Sequence, residues 1–228
     1  MNTPKNIKTI IYTVIGVLIV LGAFYAVNEY QKNNQPPKPL TLREIIQLNE
    51  SDRIKALEER TKELIDEVSN LADTTEAGIK YAAYIQLAEA QIELGKYNEA
   101  LESLGKIPED KKGNSRTDAA LIRAYKGIGD AVKARELSAN SIAVYDEDPA
   151  VWLAHLQAND SLPNEELKAL YLQAVSKTKS NIDIMISYAK FSEKIGDKVT
   201  AVAAWETAAN VDPANEGKYR EEISRLRQ

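Results

Sequence analysis

The sequence predicts an all-α chain, an N-terminal transmembrane helix followed by helical hairpins stacked into a solenoid. Three observations predict it. Residues 10–27 (IIYTVIGVLIVLGAFYAV) are almost wholly apolar, and no charged residue lies between Lys8 and Glu29. No later segment sustains the strict apolar/polar alternation of a half-buried strand. Glycine and alanine recur at fixed spacing: Gly95 and Gly129 are 34 residues apart, as are Ala100 and Ala134, and Gly196 and Ala201 lie 67 further on. Recurrence at such a period is the mark of a repeat array.

Composition removes several functions. The 228 residues include no cysteine and one histidine, His155. Disulfides, thiolate metal sites, multi-histidine metal sites and thiol nucleophiles are therefore excluded. The net charge of −5 argues against nucleic acid as a partner.

Taken in order, residues 1–8 form a short tail and 9–28 the expected membrane helix. About 20 apolar residues rise about 30 Å, the thickness of a hydrocarbon core. Tyr12 stands near one end and Phe24, Tyr25 and Tyr30 near the other, where interfacial aromatics belong. A cleaved signal peptide is the rival reading, but its apolar core is shorter and ends in a small-x-small site, which Ala23 and Ala26 do not form. Lys5 and Lys8 favour a cytoplasmic N-terminus and an extracytoplasmic C-terminal domain. Residues 29–40 form a linker in which Pro36, Pro37 and Pro39 impose extended geometry. Beyond residue 38 the chain carries 25 basic and 33 acidic residues, a poor match to an anionic membrane surface.

Residues 41–75 form a packing region. Thr41 and Glu44 make a capping box, and Ser51-Asp52 is a second start signal. Ile54, Leu57, Thr61, Leu64, Val68 and Leu71 then form one apolar stripe on a helix of about 20 residues. This helix caps the following ones; the alternative, a short dimerising coiled coil, is weakened by Thr61 in its seam.

From 76 to 213 the chain reads as about four helix pairs. LGKYNEAL (94–101), IGDAVKAR (128–135) and IGDKVTAV (195–202) repeat the same glycine environment. This 34-residue helix–turn–helix period resembles the tetratricopeptide repeat family. The first repeat matches the family pattern with Tyr84, Leu87, Ala88, Gly95, Ala100 and Leu104, the second with Leu121, Tyr125, Gly129 and Ala134. The third has Trp152 but a Leu162-Pro163-Asn164 turn, and its second-helix alanine, Ala169, falls one residue late. The fourth supplies Ala189, Gly196, Ala201, Trp205, Ala208 and Pro213. Small residues let the paired helices approach while large ones fill the gaps, and the pairs must stack to bury their apolar faces. Residues 214–228, with Tyr219, Ile223 and Leu226, fit a capping helix. The anchored layout is also similar to bacterial single-pass inner-membrane proteins of this repeat family.

The resemblance implies that the first helix of each pair lines a binding groove. It assigns Arg116, Ala119, Arg123 and Lys126 to that surface from the second repeat, and Leu153 and Gln157 from the third. Asp183, Ile186, Lys190 and Lys194 come from the fourth, and Ile85, Glu89 and Ile92 from the first. Arg116, Arg123 and Lys126 share one helical face, so the expected groove has a basic centre suited to an acidic or C-terminal peptide segment. The family's chaperone-binding carboxylate clamp is not reproduced. No catalytic, metal or cofactor constellation emerges; His155 reads as structural, and no phosphate loop or nucleophile elbow is present. The expectation is a non-catalytic, membrane-anchored scaffold or adaptor that binds a protein partner. The alternative is a holdase for exported chains, working through Ile85, Ile92, Leu153 and Ile186.

Overall fold

A computed structural model of the chain describes residues 49–228. The expected membrane helix over 9–28, the linker and the Thr41–Glu44 capping box lie outside the described residues. Among the described residues no helix is long and apolar enough to cross a membrane. The first of them, α1 (Glu50–Ser69), has 20 residues, the length of a span, but carries charge through every turn. The single-pass localisation, with its cytoplasmic N-terminus and extracytoplasmic domain, is therefore corrected. The helices described bury apolar residues against one another.

Asn49 starts α1 by accepting a hydrogen bond from the Asp52 backbone N–H at 3.0 Å, slightly earlier than Ser51-Asp52 suggests. Leu57, Thr61 and Leu64 are its buried residues, and it packs on α2 (Ala77–Glu93). Ile54 stays exposed, so the buried stripe is narrower than the apolar pattern.

Four hairpins follow. They are α2 with α3 (Tyr97–Gly105), α4 (Ser115–Gly127) with α5 (Ala131–Val144), α6 (Pro149–Ala158) with α7 (Asn164–Lys177), and α8 (Ile182–Lys194) with α9 (Lys198–Val211). Single 3-10 turns at Glu109–Lys111 and Pro213–Asn215 precede α4 and the last helix, α10 (Glu216–Leu226). No strand occurs among the described residues. In three hairpins the turn carries a left-handed glycine, Gly95, Gly129 or Gly196, at φ of 72°, 88° and 82°, a conformation that costs other residues strain. In the second and fourth, an aspartate then caps the next helix: Asp130 accepts from Lys133 N–H, and Asp197 from Thr200 N–H, each at 3.0 Å.

The third hairpin departs from this plan. The fourth residue of each second helix is buried and donates the helix's first backbone bond: Ala100, Ala134, Leu167 and Ala201. These positions are spaced 34, 33 and 34. Their partners in the first helices, Ala88, Ile122, Leu156 and Ala189, are spaced 34, 34 and 33. One residue is therefore missing between Leu156 and Leu167, in a turn that uses no left-handed residue. Ala169 is exposed; Leu167 takes the slot expected for it, because the shorter turn shifts the whole second helix back.

First helices pack on first helices in the order α2, α4, α6, α8, while each second helix lies against its partner. Ile85, Ala88, Ile92, Leu104 and Ala124 centre the first core. A small core of Ala119, Ile122, Ala134, Ala154 and Ala158 joins α4, α5 and α6. The largest runs from α6 to α10 and holds Trp152, Tyr171, Tyr188, Phe191, Trp205 and Tyr219.

Candidate functional site: a cleft on the first helices

Stacking aligns one face of each first helix. Between them opens a cleft of about 280 Å³. Ala119 and Ala120 of α4 line it with Ala150 and Leu153 of α6. Arg116 and Arg123 enter from α4, Glu89 and Glu93 from α2, Gln157 from α6 and Asp183 from α8. Glu89 and Glu93, Arg116 and Arg123, and Leu153 and Gln157 each sit at a spacing that brings side chains to a common helical face.

The cations expected on α4 are present but already engaged. The Arg116 guanidinium donates through Nε to Glu89 Oε1 and through Nη2 to Glu89 Oε2, both at 2.6 Å. This fork holds the Arg116 pKa above its ordinary value, against the opposing effect of burial. Arg123 pairs with Glu93, and Lys126 reaches Asp160, beyond the end of α6, at 2.6 Å. Three carboxylates and two guanidiniums line the cleft, and two of the carboxylates, Glu89 and Glu93, are paired with the arginines. The α4 pattern alone shows the basic residues; their acidic partners stand 27 and 30 residues earlier and meet them only through stacking.

The structure brings Arg116, Arg123, Leu153 and Gln157 together in this cleft. Lys126 turns to Asp160. Ile186 packs against the C-terminal core, and Lys190 borders a different pocket with Lys194. Ile85 and Ile92, named as groove residues by the resemblance, are 0% and 4% exposed; they belong to the core with α3 and α4. Sequence reasoning missed Glu93, Ala120 and Ala150. Glu93 was within reach, being one helical turn beyond Glu89.

His155 lies outside the cleft. Its Nδ1 is 2.9 Å from Ser138 Oγ, and its ring meets Trp152 edge-on at 5.8 Å. Burial lowers its pKa below 6.5. No group of three or more acidic or histidine residues suited to a metal occurs among the described residues.

Four stacked hairpins with a cleft along their first helices define a helical-repeat fold of the tetratricopeptide type. TTC0263, a thermophilic TPR protein of Thermus thermophilus, superposes with a TM-score of 0.55 over 81% of this chain and 96% of its own, at 18% identity. Two others align more loosely. YrrB, described as a TPR protein with an unusual peptide-binding site, has a TM-score of 0.43 at 12% identity, covering 77% of this chain and 94% of its own. MamA has 0.42 at 17%, covering 65% and 88%. The fold assignment rests on the first. No protein-family model matches the sequence, and no curated relative matches it.

Proposed function

We propose that the chain is a non-catalytic interaction scaffold whose first-helix cleft holds a segment of a partner protein. The observation that supports this reading is the cleft's construction: four successive hairpins each contribute to one surface with small alanines beneath guanidinium–carboxylate pairs. Alanines let a partner backbone approach closely. The paired charges supply donors and acceptors whose orientation is fixed before binding, which reduces the ordering cost.

The occupant follows from the charges. An acidic or C-terminal segment would have to displace Glu89 from Arg116 and Glu93 from Arg123. A segment of balanced charge, with small or apolar side chains toward the alanines, meets the cleft as built. The holdase reading is not favoured, because Ile85 and Ile92 lie in the first core and Ile186 packs, half-buried, against the C-terminal core.

A photo-crosslinking residue placed at Gln157 tests the proposal, with Val199 on α9, 82% exposed, as the control position. The expected result is one dominant protein adduct from position 157, absent from 199 and suppressed by Ala150→Trp, which fills the cleft from an exposed site. Equal adducts from both positions would overturn it.

A further inference from the structure

The missing residue of the third hairpin has a spatial consequence. Helix α6 ends after 10 residues, whereas α4 and α8 each run 13. Where α6 stops short, a separate pocket of about 270 Å³ opens beside the second half of α8. Leu167 and Tyr171 of α7 line it with Phe191 and Ile195. The Tyr171 ring stacks on Phe191 at 4.9 Å and on Tyr188 at 5.3 Å. Its hydroxyl is 2.9 Å from Ser187 Oγ, so the apolar wall is held in place from two sides.

Lys190 and Lys194 stand on the rim, both exposed and one helical turn apart. Neither makes an ion pair among the described residues, whereas Lys126, Lys168 and Lys177 are each paired at 2.6 Å. The pocket's one carboxylate, Asp160, is occupied by Lys126. Glu193, between the two rim lysines on α8, feels the Lys190 charge but is itself paired with Arg225, so both ammonium groups stay available above the aromatic wall.

We propose that this pocket is a second protein-binding site, taking an apolar side chain flanked by acidic residues from a partner segment. The aromatic wall of Tyr171 and Phe191 beneath exposed Lys190 and Lys194 points to an apolar side chain with acidic neighbours as occupant. The rim lysines select the flanking charge, and their spacing along α8 matches carboxylates on both sides of the anchor. The site is independent of the first-helix cleft and stands whether or not that cleft binds. The plain alternative is that Lys194 only complements the C-terminal dipole of α8.

The test is a two-dimensional amide NMR titration of the full chain with acetylated, amidated Asp-Glu-Leu-Glu-Asp and Asp-Glu-Phe-Glu-Asp. Lys-Lys-Leu-Lys-Lys and an all-glutamate pentapeptide serve as controls. Saturable shifts are expected at Ser187, Lys190 and Phe191 for the two acid-flanked peptides alone. In Lys190→Glu/Lys194→Glu, binding weakens by about tenfold or more, the size of a lost charge pair. Lys198→Glu/Lys218→Glu, which changes net charge equally at other exposed sites, leaves it unchanged. Absence of saturable shifts, equal shifts with the all-glutamate peptide, or equal weakening in the two double variants would each overturn the proposal.

Discussion

The second and fourth hairpins fill the same slot in opposite ways. One turn beyond the buried fourth residue of the second helix, the four hairpins bury Leu104, Ser138, Tyr171 and Trp205. In the fourth, Trp205 stacks near Tyr219 at 5.9 Å, and its indole N–H donates to Glu193 at 2.7 Å. In the second, the slot holds only a serine side chain, and His155 of the following hairpin comes in against it. Ser138 Oγ also donates to the Arg135 carbonyl at 2.9 Å, and the Asn159 amide nitrogen stands 3.4 Å from the same His155 Nδ1, so the imidazole tautomer sets which partner donates. Ser141, one turn on, donates to Asp118 at 2.8 Å. One seam is held by aromatic area, the other by close alanine contact and hydrogen bonds. A repeat slot is thus a volume to be filled by whichever neighbour can reach it, and the two seams should fail under different stresses.

The largest expected effect is in the aromatic seam. Trp205→Ala should cost about 3–5 kcal/mol, the range for deleting a buried aromatic, measured by urea unfolding. A loss under about 1 kcal/mol, below that range, would mean the C-terminal core is not what holds α8, α9 and α10 together. Next comes Leu167→Ala. It installs the residue the other three hairpins carry at this slot, yet should still destabilise by about 2–4 kcal/mol, because the shifted α7 needs a larger side chain there. Neutrality would contradict the one-residue offset.

In the polar seam, Ser138→Ala should cost about 1–2 kcal/mol by removing the hydroxyl partner of His155 Nδ1. Adding His155→Leu should recover much of that loss, since both partners are then apolar. No recovery in the double variant would show that the histidine acts through packing alone. Gly127→Ala is a steric counterpart on α4: its Cβ would stand 2.3 Å from the Tyr97 ring. The ring must move, at about 1–3 kcal/mol, read out in the same unfolding experiment.

Acid separates the seams most gently. The folded-state pKa of His155 is lowered by burial from 6.5, so its contribution is complete above pH 6.5 and is lost as pH falls below that value through the folded one. Asp197 is held down to about 2, first by Lys168 and then by Thr200, from an ordinary 3.8. Its contribution is complete above pH 3.8 and is lost only as pH falls toward 2. Amide protection factors, which correct for the slowing of intrinsic exchange in acid, should therefore fall first along α5 and α6 between about pH 7 and 4, a range that spans the histidine but not the lowered aspartate, with the start of α9 still protected. Simultaneous loss would mean the array opens as a single unit.

Much of the array was legible in the sequence because its signals are local. Gly95, Gly129 and Gly196 mark turns by backbone chemistry, and Ala88, Ala100, Ala134, Ala189 and Ala201 mark close helix contacts. The third hairpin was harder to read. Ala169 invited an alignment one residue late, and only burial shows that Leu167 occupies the slot. For the candidate site, Arg116, Arg123, Leu153 and Gln157 could be assigned to one surface from helical spacing and the family pattern. Their charge balance could not, since Glu89 and Glu93 are brought to the arginines by α2 packing on α4. The same limit applies to Ile85 and Ile92, whose position on a first helix says nothing about which neighbour covers them.

By itself, then, the sequence determined the helical class, the period, three of the four turns and the absence of cysteine chemistry, because each depends on residue type and short-range spacing. Only the tertiary structure decided where the missing residue falls, which cations are already paired, and that a shortened α6 leaves a pocket beside Lys190 and Lys194. Those outcomes depend on side chains distant in sequence meeting across a stack, and no local pattern carries that distance.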